Sequence, residues 1–290
     1  MNYGTSTHRA RFTYADAAAV ARAKAARPSN RPDRVSAEEE DAAMRSCAAL
    51  LLAMHPRLGL GPQHGSFRAA VHYLRRVFAA RSLAELDPVL VALASLFVAG
   101  KVLEVRWPRG AHGSLHYRGF TVDRILRAYA DVAGGARDEE RESDADADAD
   151  ADAAADADSD ADADARRPPT ALDVLVYERV VLETLGFSLV VHPPPRVTGS
   201  PTLERAEAAL LLRGDAAALA MTPDQLADAV ADAARRGDGV GPDDALAFAG
   251  PLDAAALAKF AALRRETEAA MDVLEAARGT RRGNSDDSDF

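Results

Sequence analysis

The segment Asp87-Pro-Val-Leu-Val-Ala-Leu-Ala-Ser-Leu-Phe-Val-Ala-Gly-Lys101 is apolar on every side between its proline and its lysine. Asp87 suits a helix N-cap and Pro88 the first helical position, so the stretch reads as a helix. A helix with no polar face must be surrounded by other helices or by lipid. At this length it falls short of the roughly 18–20 apolar residues needed to cross a bilayer. The segment therefore calls for a helical bundle that wraps it, and no membrane partner is expected. Lys101 falls in the last turn, where a cation meets the negative end of the helix dipole.

The remainder of the 290 residues supplies such a bundle. Hydrophobic residues make up 48% of the chain and aromatics only 6%, an Ala-rich balance that favours helix over strand. The fold class expected is all-α. Ser36 followed by Glu39 is a capping-box signature, and the helix it opens is expected to run from Ala37 to Met54, because Pro56 disfavours helical geometry at His55. A second helix begins at Ser66, with Phe67, Val71, Leu74 and Phe78 on one face and Arg68, Arg75 and Arg76 as its polar side. His72 and Tyr73 read as core or boundary residues. A fourth helix is expected over 122–132, stopped by Gly134-Gly135. A fifth starts at Thr170 with Asp173 and ends at Gly186.

Between Asp144 and Asp164 the chain reads DADADADADAAADADSDADAD, with ten aspartates and no base. Those ten equal the whole excess of the formal net charge, −10, so the rest of the chain is neutral. A neutral body gives no support for a nucleic-acid surface, and a nucleic-acid partner is not expected. The tract has no large apolar side chain to bury and its charges repel at every helical spacing, so 136–168 is expected to be a disordered acidic insertion. Residues 1–36 form a basic arm broken by Pro28 and Pro32, 193–279 an Ala-rich helical region, and 280–290 a disordered tail.

Cys47 is the only cysteine, which excludes an internal disulfide and a cysteine-based zinc site and fits a reducing compartment. Gly100-Lys101 lacks the earlier glycine and the following Ser/Thr of a phosphate loop. His112 and His116 sit in a glycine-rich loop and read as solvated. No nucleophile–base pairing stands out, and the chain is expected to carry no catalytic residue, metal or cofactor.

One charge does not fit its helix. At about 100° per residue, Arg179 and Glu183 share a face, whereas Glu178 points between Leu182 and Leu185. A carboxylate among leucines needs a cation, and Lys101 is the best candidate. The other reading is two charges at helix ends reaching to water.

Several motifs, in order, resemble the cyclin family. ASLFVAGKVLE (94–104) is similar to the cyclin "A..LFLAGKVEE" element, and YERVVLETLGFSLVVHPP (177–194) to "E..LLQTLGFEL...HP". MRSCAALL (44–51) matches the first-helix Met-Arg pattern, and 12–34 looks like the "FT.E.L..SPSR" arm of the transcription-type cyclins of the T, K and L group. The resemblance covers about 11–192. It implies a five-helix cyclin box over 37–192, interrupted by the insertion; 193–279 does not align with the family's second box and reads as a decayed form of it or, alternatively, as an unrelated helical extension. It further implies a nuclear, non-enzymatic regulatory subunit that binds and activates a cyclin-dependent serine/threonine kinase acting on RNA polymerase II transcription. In that family Lys101 and Glu178 would form the kinase-contacting pair, Glu104 would be the second acid of a double-Glu element whose first position is here Leu103, and Arg45 would brace the box. The alternative is a scaffold of the same fold that binds transcription factors or DNA, using the basic arm and Arg68, Arg75 and Arg76, without activating a kinase.

Overall fold

The computed structural model describes residues 3–27, 30, 34–60, 65–103, 120–143, 167–250 and 254–283. Every regular element among them is helical. The arm contributes α1 (Thr7–Phe12) and α2 (Ala17–Ala25). The body follows with α3 (Ala37–Arg57), α4 (Ser66–Ala80), α5 (Pro88–Val102), α6 (Val122–Ser143) and α7 (Ala171–Thr184). The C-terminal half carries α8 (Pro201–Arg213), a π-helical turn at Ala216–Ala220, α9 (Pro223–Arg235), α10 (Ala245–Ala249) and α11 (Ala254–Gly283).

The apolar helix takes the central place its composition demands. α5 packs most extensively against α4 and α7, and also touches α3 and α6. Val91, Ala92, Leu93, Ala94, Leu96 and Ala99 are fully buried. Asp87 caps it by accepting from the Val89 and Leu90 amides at 2.9 and 3.1 Å. Gly100 is close-packed, since a Cβ there would collide with the Phe120 ring. Gly100→Ala would gain about 1 kcal/mol of helix propensity but cost about 1–3 kcal/mol of overpacking. The expected result is a melting temperature lowered by a few degrees; an unchanged or raised one would show that Phe120 moves aside freely.

The capping boxes at Ser36/Glu39 and Thr170/Asp173 form as the sequence indicates. Three helices run longer than expected, among them α11, which takes in 280–283 of the expected disordered tail. α3 continues to Arg57 with Pro56 in its last turn. There a missing donor costs little, because the terminal carbonyls are taken by the Leu58 and Leu60 amides, and the His55 ring contacts the Leu51 carbonyl and the Ser66 hydroxyl, each at 2.9 Å. α6 passes through Gly134 to Ser143, because a glycine weakens a helix without ending it unless it turns left-handed. Of the 136–168 stretch, 136–143 thus lie in a helix, and 144–166 fall outside the described residues.

The largest departure concerns the polar side of α4. Arg68, Arg75 and Arg76 are not solvated: all three are buried, Arg75 completely. Arg68 forks onto Glu207 of α8, and Arg75 pairs with Asp215 and donates to the Leu211 carbonyl at 3.0 Å. Lys24 of α2 bridges Glu40 at 2.8 Å and Asp215. The Ala-rich half is short of large apolar side chains, so ion pairs supply the join that grease alone could not. Leu211, Leu212, Leu226 and Val230 still belong to one apolar core with the α3–α7 body.

The arm is structured rather than loose. Arg27, buried, donates to Glu40 at 2.6 Å and to the Phe78 and Arg81 carbonyls at 2.6 and 2.9 Å. It thereby satisfies acceptors at the C-terminal end of α4 that have no partner within that helix.

Candidate functional site

Lys101 and Glu178 meet. The Lys101 Nζ donates to Glu178 Oε1 at 2.5 Å and lies 4.6 Å from the centre of the Phe97 ring. The cation is open to solvent, at 51% side-chain exposure, whereas the carboxylate is 14% exposed. The approach is set by backbone as well as by side chains, because the Asp87 amide at the start of α5 donates to the Tyr177 hydroxyl at 3.1 Å. Tyr177 and Glu178 are adjacent in sequence, so α7 is tied to the beginning of α5 by one residue and to its end by the next.

The two helices that carry this pair also expose apolar side chains. Leu172, Leu175 and Val176 share one outer face of α7 at i, i+3 and i+4, and Leu172 is 70% exposed. Val102 and Leu103 follow Lys101 directly and are also exposed. At the end of α7, Gly186 and then Phe187 turn left-handed, at φ 54° and 56°. Left-handed geometry is uncommon and strained for a bulky residue. It leaves the Phe187 ring 69% exposed. Scattered apolar residues on a surface mean little, but several exposed on the two helices that an ion pair joins are compatible with a docking site. The sequence carried a signal for it: the fifth helix, ALDVLVYERVVLETLGF, is apolar on more than one face, although burial against α5 needs only one.

Arg45 lies on α3 and pairs with Asp41 one turn earlier in the same helix. Arg27, Arg68 and Arg75 make side-chain contacts between helices. Asp87, at the N-terminus of α5, is met by Arg264 of α11 at 2.7 Å. Glu104, His112 and His116 lie outside the described residues. Among the described residues no three His, Cys, Asp or Glu side chains are gathered so as to hold a metal, and no helix is long and apolar enough to cross a membrane.

No family model and no curated protein matches the chain. Among solved structures it is similar to a chain of the CAK complex from Chaetomium thermophilum bound to ATP-gamma-S, at 17% identity and a TM-score of 0.45, over 91% of this chain and 78% of that one.

Proposed function

We propose that the chain is a cyclin-like regulatory subunit that docks onto a cyclin-dependent serine/threonine kinase through the exposed last turn of α5 and the outer face of α7. The observation that carries this reading is the solvent-accessible Lys101–Glu178 pair, which joins two helices that also expose apolar side chains. A half-exposed ion pair contributes at most about 1 kcal/mol to stability. Stability alone is therefore a poor reason to keep it, and a partner surface is a good one. The cyclin-like motifs supply the kind of partner, since the two elements that carry Lys101 and Glu178 are the ones the cyclin family uses against its kinase.

The chemistry would be indirect. A protein kinase works only when its strand lysine is paired with the glutamate of a mobile helix, which positions the phosphates. A helical body whose central helix is buried on all sides can hold that helix inward, and its binding energy shifts the equilibrium towards the active form. The resemblance of the arm to transcription-type cyclins supports regulation of RNA polymerase II transcription in the nucleus. The scaffold alternative loses much of its basis, because Arg68, Arg75 and Arg76 are buried in ion pairs, a cation–π contact or backbone hydrogen bonds and are closed to a phosphate backbone. The test is purification of the full chain from nuclear extract, with identification of what co-elutes and assay of its phosphotransfer. A stoichiometric serine/threonine kinase with raised activity is expected. Recovery of DNA or transcription factors without a kinase would overturn the proposal.

A further inference from the structure

Where the arm meets the body, five groups are gathered that the docking face does not use. His8 of α1 stacks on His192, with ring centres 5.7 Å apart and planes 24° from parallel. It meets His72 of α4 edge-on at 5.9 Å, and Tyr3 closes the group against His8 and His192 at 5.5 and 5.4 Å. Arg76 of α4 lies against the same arm, its guanidinium 4.5 Å from the centre of the Phe12 ring and donating to the Val190 carbonyl at 3.3 Å.

We propose that His8, His72 and His192, gathered against Arg76, form a proton-sensitive latch that holds the N-terminal arm to the helical body at neutral pH and releases it on acidification.

The geometry requires neutral rings. The His192 amide donates to Nδ1 of His8 at 3.3 Å, so that nitrogen must be unprotonated; a proton there would set two donors face to face. His72 is buried with only the Ala218 backbone near enough to accept from its ring, and Nε and Nη2 of Arg76 are buried without acceptors. A second or third cation would find nothing to compensate it.

Among the described residues the charged neighbours leave no free carboxylate for that role. From the arm come Tyr3 and Arg11, the latter donating to Ser188. From α4 come Arg68, Arg76 and Tyr73, whose hydroxyl donates to the Leu189 carbonyl. The two carboxylates of the C-terminal half that pair with α4 are already engaged, Glu207 by Arg68 and Asp215 by Arg75 and Lys24. From the π-helical turn only the Ala218 backbone favours a charged His72.

Burial and then the positive charges of Arg76 and His192 hold His8 down at about 3. Burial first, then Arg76, His8 and Arg68, holds His72 well below its ordinary value, and burial with neighbouring positive charge lowers His192. Groups depressed in this way stabilise the docked arm above their free value of about 6.5, and that stability drains away as pH falls towards the depressed value. Each ring weakens docking by up to about tenfold per pH unit below 6.5.

Hydrogen exchange of the full chain between pH 7.5 and 5.5, corrected for intrinsic rate, tests this. The amides of α1 and of Tyr14, which donates to the Leu219 carbonyl at 2.8 Å, should lose at least tenfold protection while those of α5 hold. A double variant, His8→Asn with His72→Leu, should flatten that dependence. Arm protection that is unchanged in the natural chain, or that falls in step with α5, would overturn the latch even if the variant failed to fold. So would a pH dependence equally steep in the folded variant.

Discussion

Glu178→Lys is expected to release the kinase while leaving the helical circular dichroism signal intact. The substitution places two cations where an ion pair now sits and removes the carboxylate that Lys101 meets. Loss of a hydrogen-bonded charge at an interface costs about 2–5 kcal/mol, or roughly 30-fold or more in affinity. The fold should tolerate it, because Lys101 is half-exposed and can swing into water. The control that separates docking from structure is the swapped pair, Lys101→Glu with Glu178→Lys. It restores an attraction inside the chain but presents the opposite polarity to the partner. Stability should return to the natural value while binding stays lost. Leu175→Asp, one turn from Glu178, should weaken binding comparably by placing an unpaired charge on the exposed apolar face of α7. Arg235→Ala, on an exposed end of α9, should do nothing. Kinase retention measured at matched concentrations checks all four, and unchanged retention of Glu178→Lys would remove the basis of the docking surface.

The largest effect on stability is expected at Asp215. This carboxylate is shared between Lys24 of the arm and Arg75 of α4, whose side chain has no solvent exposure. In Asp215→Ala the Arg75 charge stays buried with only the Leu211 carbonyl to accept from it. Breaking a buried pair by removing one partner costs about 3–5 kcal/mol, a large share of the 5–15 kcal/mol that stabilises a typical domain. Asp215→Asn keeps an acceptor in place and should lose less. The pH dependence has a definite sign. Burial pushes the Asp215 carboxyl up, but Arg75 and then Lys24 outweigh it, so the group titrates below its ordinary value of 3.8. Its contribution is therefore complete at neutral pH and disappears as pH falls below about 4. Urea unfolding at pH 7 and at pH 3 should show the variant's deficit shrinking at the lower pH. A deficit that does not change with pH would mean that Asp215 acts through packing rather than charge.

What could be read from the sequence was what depends on local rules. The caps at Ser36, Asp87 and Thr170, the all-round burial of α5, and the odd direction of Glu178 on its helix follow from spacing and residue type alone. Lys101 and Glu178 are 77 positions apart, yet each was conspicuous in its own helix, and only one cation stood close to an apolar run. What stayed hidden depends on partners that periodicity cannot assign. Arg68, Arg75 and Arg76 look like a solvated stripe until Glu207 and Asp215, about 140 positions later, are folded against them. Arg27 resembled one more base in a flexible arm, because nothing in the sequence indicates that the end of α4 lacks donors. The histidine cluster joins three separate segments and has no local signature at all. Pro56 and Gly134 were read as stops because their costs are real, but a cost near a helix end is easily outweighed by tertiary contacts.

The forked join between Arg68 and Glu207 has a further consequence. Apolar faces slide and rotate against each other with little penalty, whereas a planar guanidinium held by two carboxylate oxygens accepts one direction of approach. With Arg75 anchored a short way along the same helix, α8 is pinned at two points, which fixes its azimuth as well as its distance. A binding protein that reached across both halves would thus meet a preset angle rather than a hinge.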